Sequence, residues 1–86
     1  MANTRSAIKR IKQSEKRRVR NRATRSTVRS SVKSARAAVE AASAESTATV
    51  REAIRIIDRA VTRGVIHKNT AARRKSSLAR ALNRLA

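Results

Sequence analysis

The side chains of this sequence that could do chemistry are mainly cations, gathered in two runs near its ends. The first run covers residues 9–22, where eight of fourteen residues are Lys or Arg. The second run covers residues 67–76 and begins with the only histidine of the chain. Ammonium and guanidinium groups at this density bind phosphate oxygens through charge-assisted hydrogen bonds. Both runs therefore predict contact with a polyanion.

Catalytic and metal-binding chemistry find little support in the remaining residues. The chain has no cysteine, which excludes disulfides, thiolate nucleophiles and thiolate metal sites. Catalysis or metal binding by His67 would need acidic partners, and the chain has few acids. We therefore expect His67 to take part in a turn or to contact a phosphate. The serine and threonine hydroxyls lack a base partner by any sequence signature. We therefore predict that the protein is not an enzyme and has no catalytic residue, no metal site and no cofactor.

The overall charge narrows the choice of partner. The chain of 86 residues carries 23 Lys and Arg against five acids, a net charge of +18. A surplus this large destabilises a compact monomer by self-repulsion unless a polyanion lies beside it. Cations dominate residues 1–36 and 63–86, whereas residues 37–62 have a net charge of −1. Nucleic acid and an anionic membrane are the two candidate partners.

The distribution of charge favours nucleic acid. At about 100° per residue, the first run covers nearly the whole circumference of a helix, whereas a membrane-surface helix separates charge from a broad apolar face. No segment approaches the roughly 20 apolar residues of a membrane span, and we expect a soluble, cytoplasmic protein. Because the chain has no aromatic residue, it lacks a base-stacking platform. Recognition should therefore be of backbone and shape.

The elements that position these cations should be helices. The chain has no Pro, a single Gly and no persistent alternation of apolar and polar residues, which predicts an all-α fold. The first helix should run from Thr4 or Arg5 to Ala42. Its apolar stripe follows a 4-3-4-3 spacing and consists of Val28, Val32, Ala35, Val39 and Ala42.

Two shorter helices should complete the fold. The second should begin near Val50, after a capping box of Thr49 and Glu52, and end at Gly64 in a left-handed cap. Its apolar face is Val50, Ala53, Ile54, Ile57 and Val61, and Asp58 should pair with neighbouring arginines of the same helix. The third should run from Lys68 or Thr70 to Leu85, with Ala71, Leu78, Leu82 and Leu85 on one side. The predicted turns are Ser43–Ala48 and Gly64–His67.

The first helix is too long for its own apolar stripe. Extended backwards from Val28 at the same spacing, the stripe meets only polar residues, while helix-compatible sequence continues for about 20 residues, or roughly 30 Å. We therefore predict a single domain over residues 1–86. Residues 1–27 form a basic arm (the arm) and residues 28–86 form a three-helix bundle (the bundle).

The two runs also resemble a known family. Met1-Ala2-Asn3, Ser6-Ala7 and the stretch Lys9–Arg18 resemble the start of the protein-twenty family of the bacterial small ribosomal subunit, and Gly64–Ser76 resembles a segment near its end. Residues 24–48 depart from the family pattern, with no aromatic residue and no Gly in the first turn. The resemblance implies a three-helix bundle with a long projecting first helix that binds 16S ribosomal RNA early in assembly.

The runs and the resemblance together predict the RNA-contact residues. They are Asn3, Arg5, Ser6, Lys9, Arg10, Lys12, Gln13, Ser14, Lys16, Arg17, Arg18, Arg20, Asn21, Arg22, Arg25, Arg29, His67, Lys68, Asn69, Arg73, Arg74, Lys75 and Ser76. A plainer interpretation of the second run is a solvated helix face that Asn69 caps.

The predicted function is structural. By the resemblance, the chain binds the 5′ domain of 16S ribosomal RNA and the long helix near its 3′ end, with few or no protein contacts, no membrane and no homo-oligomer. It would bridge and stabilise RNA segments during assembly and translation. A histone-like protein that compacts nucleic acid, and a membrane-active cationic helix, are the alternatives that the same charge allows.

Overall fold

The structure, a computed structural model, describes residues 2–85 and the side chains of residues 4–85. Three helices follow one another along the chain: α1 (Ala2–Glu40), α2 (Ser46–Thr62) and α3 (Lys68–Asn83). No strand occurs among the described residues, and the predicted all-α fold with a long first helix is confirmed. The elongated molecule measures 65 × 20 × 13 Å.

Small side chains make the core of the bundle. The buried apolar residues are Val28, Val32, Ala35 and Val39 of α1, Val50, Ala53, Ile57 and Ala60 of α2, and Ala71 and Leu78 of α3. Four of these ten are alanines, so the helices pack closely and each side chain removes little apolar surface from water. The predicted stripe on α1 is confirmed from Val28 to Val39.

Towards the N-terminus, α1 continues without packing against the other helices. Every residue from 4 to 20 is exposed, including Ile8, Ile11 and Val19, which are 49%, 68% and 59% accessible. Asn21 and Thr24 are the first half-buried positions of α1. These 17 exposed residues extend for about 25 Å. The bundle therefore holds a projecting helix, as the end of the apolar stripe predicts.

The end of α1 carries backbone strain. The helix stops at Glu40, two residues before the predicted end, because Ala42 adopts a left-handed conformation with φ 50°. The amide of Ala42 donates to the Val39 carbonyl and that of Ser43 donates to the Ala38 carbonyl, each at 3.0 Å. These two bonds make a Schellman cap, in which the left-handed position ordinarily holds Gly.

The predicted start of α2 is wrong. The helix begins at Ser46, four residues before Val50, and the Thr49 hydroxyl donates to the Glu45 carbonyl at 2.9 Å instead of capping. The reason is tertiary: the buried Ser46 hydroxyl lies 2.9 Å from the Ala38 carbonyl and 2.7 Å from the Ser43 carbonyl. These contacts fix the α2 start against the end of α1.

The other helix ends fall close to the predicted positions. Gly64, with φ 75°, follows α2, and its amide donates to the Val61 carbonyl while the Val65 amide donates to the Ala60 carbonyl. This is the predicted left-handed cap at Gly64. By contrast, α3 ends at Asn83, so Leu85 lies beyond the helix and is 45% accessible. Its predicted place on the packed face is wrong.

The strain at Ala42 gives a stability prediction. Ala42→Gly should raise the free energy of unfolding by about 0.5–1 kcal/mol, because Gly adopts the left-handed conformation without a steric penalty. Ala37→Gly, at an exposed position inside α1, is the matched control and should lower it by about the same amount. Urea denaturation of both variants measures this. Equal losses of stability in the two variants would refute the strained cap.

Candidate nucleic-acid interface

A basic row begins near the end of the arm and continues along the bundle half of α1. Arg25, Arg29, Lys33 and Arg36 recur at intervals of four, four and three residues. At about 100° per residue they fall within an arc of roughly 80°, directly beside the buried stripe of Val28 to Val39. The arm differs, because its cations point in all directions around the helix. The cations of α1 therefore surround the helix in the arm and lie on one side of it in the bundle.

The basic row forms one wall of a groove between α1 and α3, and Arg74 of α3 contributes the other (the α1–α3 groove). One concavity of about 470 Å³ is lined by Arg29, Lys33, Arg36, Glu40 and Arg74 among others. An adjoining concavity of about 260 Å³ is lined by Arg25, Arg29, Ile66, His67, Thr70 and Arg74 among others. Arg29 and Arg74 line both concavities, so the two form one continuous surface.

The α1–α3 groove concentrates uncompensated positive charge. Its five cations meet a single acid, Glu40, and within the described part of the chain none of them lies in an ion pair. The ion pairs that the structure does show lie elsewhere: Arg18 with Glu15 at 2.7 Å, Arg55 with Glu52 at 3.6 Å and Lys75 with Asp58 at 2.8 Å. Like charges that converge without counter-charges favour a bound polyanion.

His67 has a structural role at the start of α3. It is the N-cap residue, and its Nδ1 accepts a hydrogen bond from the Asn69 amide at 3.1 Å. Because Nδ1 accepts this bond, Nε2–H is the donor that the ring keeps. The interpretation in which Asn69 caps α3 is wrong, whereas the predicted turn role of His67 is confirmed.

The second basic run is divided by the periodicity of α3. His67, Thr70 and Arg74 line the α1–α3 groove. Lys75 instead donates to Asp58 of α2 and ties the two helices together. The predicted pairing of Asp58 with arginines of its own helix is therefore wrong, because the packing of α3 supplies a closer cation. Any contact of Lys75 with RNA remains a prediction.

The predicted positions in the first run lie on the open part of α1. From Arg5 to Arg20 they are all exposed, and Asn21 is half-buried. Arg18 shares its charge with Glu15, and the other cations of the arm show no acidic partner among the described residues. The side chain of Asn3, a further predicted contact, lies outside the described residues.

Two cations of the α1–α3 groove, Lys33 and Arg36, were not among the predicted contacts. They fall within the bundle half of α1, where the apolar stripe dominates the pattern. Their spacing from Arg25 and Arg29 is visible in the sequence and could have revealed the row. The opposing wall could not be found in this way, since it depends on how α3 packs.

Over residues 2–85, no helix combines the length and apolarity that a membrane crossing requires. In the same part of the chain, no three His, Cys, Asp or Glu side chains gather as a metal site would need.

Comparison with known proteins gives a consistent match along the chain. The family model described as ribosomal protein S20 matches residues 2–83. Small ribosomal subunit protein bS20 of Corynebacterium efficiens is 50% identical over 99% of this chain and 99% of its own length. The proteins of the same name from Carboxydothermus hydrogenoformans and Dictyoglomus thermophilum are 49% and 47% identical, each over 96% of this chain and 90% of their own length.

The cap at His67 can be tested separately from any binding. His67→Ala should lower the free energy of unfolding by about 1 kcal/mol, because the Asn69 amide loses its acceptor. His67→Asn supplies another good N-cap and should retain most of the stability. Urea denaturation distinguishes the two variants. If both lose the same stability, the ring does not act as a cap.

Proposed function

The chain belongs to the ribosomal protein S20 family, and we propose that it is a structural component of the bacterial small ribosomal subunit that binds 16S ribosomal RNA directly. The family consists of structural ribosomal proteins and not of enzymes. By the resemblance of its two basic runs, the chain contacts the 5′ domain of that RNA and the long helix near its 3′ end.

The observation that carries this proposal is the exposed arm. The helix of residues 4–20 is exposed along its whole length and carries cations around most of its circumference. An isolated helix of this length is marginal in water, and like charges spaced four residues apart weaken it further. Phosphates on several sides of the helix would attract these cations and offset the repulsion between them. The arm is therefore suited to lie within folded RNA, with the bundle as its anchor.

The mode of recognition follows from the residue types. Arginine outnumbers lysine by 17 to six, and its planar fork suits bidentate phosphate contacts. With no aromatic side chain to stack on bases, the chain would read the shape of the RNA backbone. The net charge of +18 opposes self-association, which favours one copy of the protein on the RNA.

Removal of the arm tests the proposal. Deletion of residues 1–25 should lower the affinity for 16S ribosomal RNA by about 100-fold or more at 0.1 M salt, because roughly half a dozen phosphate contacts are lost. The core begins at Val28, so the truncated chain should still unfold cooperatively in urea. Filter binding measures the affinity. A truncated chain that folds and binds as tightly as the intact one would overturn the proposal.

Salt dependence and competition complete this test. For about eight phosphate contacts, the affinity of the intact chain should fall with a log–log slope near −7. Random duplex DNA added as competitor should displace the RNA poorly. Equal affinity for the two nucleic acids would instead favour a histone-like role in compaction.

A further inference from the structure

We propose that the α1–α3 groove is a second RNA site, separate from the exposed residues 4–20 of the arm, that holds the phosphate backbone of one RNA strand. The inference rests on the proposed function, since it takes RNA as the partner. To the proposed function it adds where RNA would contact the bundle, which residues would make the contact and that they would bind phosphates. In this view the chain binds RNA at two points along a single helix.

The first step is the geometry of the basic row. Arg25 to Arg36 spans eleven residues of α1, or about 16 Å along its axis. The four cations of the row face the same side, and all four are exposed. A row of this kind matches a linear array of phosphates and not a single anion.

The second step is the opposite wall. Arg74 is half-buried and lines both concavities, so it lies across from the row where the two concavities join. His67 lines the same wall and offers Nε2–H as a donor. The floor includes Val65 and Ile66, half-buried apolar side chains that suit the less polar faces of ribose. A strand in the α1–α3 groove would meet donors from two helices.

The third step is the separation from the arm. Gln13, in the middle of the first basic run, lies 20 residues before Lys33, which corresponds to about 30 Å along α1. The arm presents charge on all sides, whereas the α1–α3 groove presents it on one. An acidic protein segment could also neutralise five cations. RNA is favoured because the row continues the charge of the arm along the same helix, so one folded polyanion can contact both.

The lack of cysteine makes a direct test possible. A single Cys introduced at an exposed position can carry a tethered iron–EDTA probe, which cleaves nearby RNA. The positions are Gln13→Cys on the arm, Ala37→Cys in the α1–α3 groove, and Ala48→Cys on the exposed side of α2 as the matched control. Each labelled full-length protein is bound to 16S ribosomal RNA.

The inference expects two separate footprints. The Ala37→Cys probe should cleave a segment that the Gln13→Cys probe does not reach, and the Ala48→Cys probe should cleave weakly. Cleavage from position 37 that is no stronger than from position 48, or that only repeats the footprint from position 13, would overturn the second site. That result leaves the proposed function standing. An intact protein that fails to bind 16S ribosomal RNA at all would overturn the proposed function itself.

Matched charge removal provides the second measurement. The triple variant Arg29→Gln, Lys33→Gln, Arg36→Gln removes three exposed cations of the α1–α3 groove. The control variant Arg51→Gln, Arg59→Gln, Arg63→Gln removes three exposed cations elsewhere on the bundle, none of which lies in an ion pair of the described residues. The groove variant should bind about 10- to 100-fold more weakly at 0.1 M salt, with a slope smaller by about 2–3. The control should change much less, and equal losses in the two variants would contradict the inference.

Discussion

Mutual repulsion among cations is the constraint on which the rest of this structure depends. The chain has 18 more positive than negative charges, and the three ion pairs found among its described residues are all solvent-exposed. Exposed pairs of this kind contribute about 0.2–1 kcal/mol each and cannot offset such a surplus. The core that opposes the repulsion consists of ten small or medium side chains. The fold therefore keeps its cations apart from its core and leaves their neutralisation to a partner.

The helix α1 uses one half to build the core and the other half to present cations. In its C-terminal half, α1 places an apolar stripe against α2 and α3 and sets the basic row directly beside that stripe. In its N-terminal half the stripe ends and cations surround the axis. The bundle thus fixes the direction of the arm by packing, and the RNA that we propose as partner would stabilise the arm by charge. Both halves use the same helical geometry, and only the arrangement of apolar residues distinguishes them.

Most of the fold could be predicted from the sequence, because helical periodicity is a local property. The stripe from Val28 to Val39, the left-handed Gly64 and the overhang of α1 follow from residue spacing alone. Several of the features that escaped prediction depend on contacts between helices. The start of α2 is set by the contact of Ser46 with the end of α1. Lys75 pairs with Asp58 because the packing of α3 brings the two side chains together. The α1–α3 groove was missed for the same reason, since its two walls lie far apart in the chain.

The central claim is that residues 4–20 of the arm, exposed along their whole length, pack against no other part of the described chain and obtain a stabilising partner from RNA. Hydrogen exchange of the backbone amides, measured residue by residue on the intact chain with and without 16S ribosomal RNA, tests it most directly. The amides of residues 4–20 should exchange rapidly in the free protein and become strongly protected on binding. Those of residues 28–39 should be protected in both states. Residues 4–20 exchanging at the same rate with and without RNA would contradict the claim.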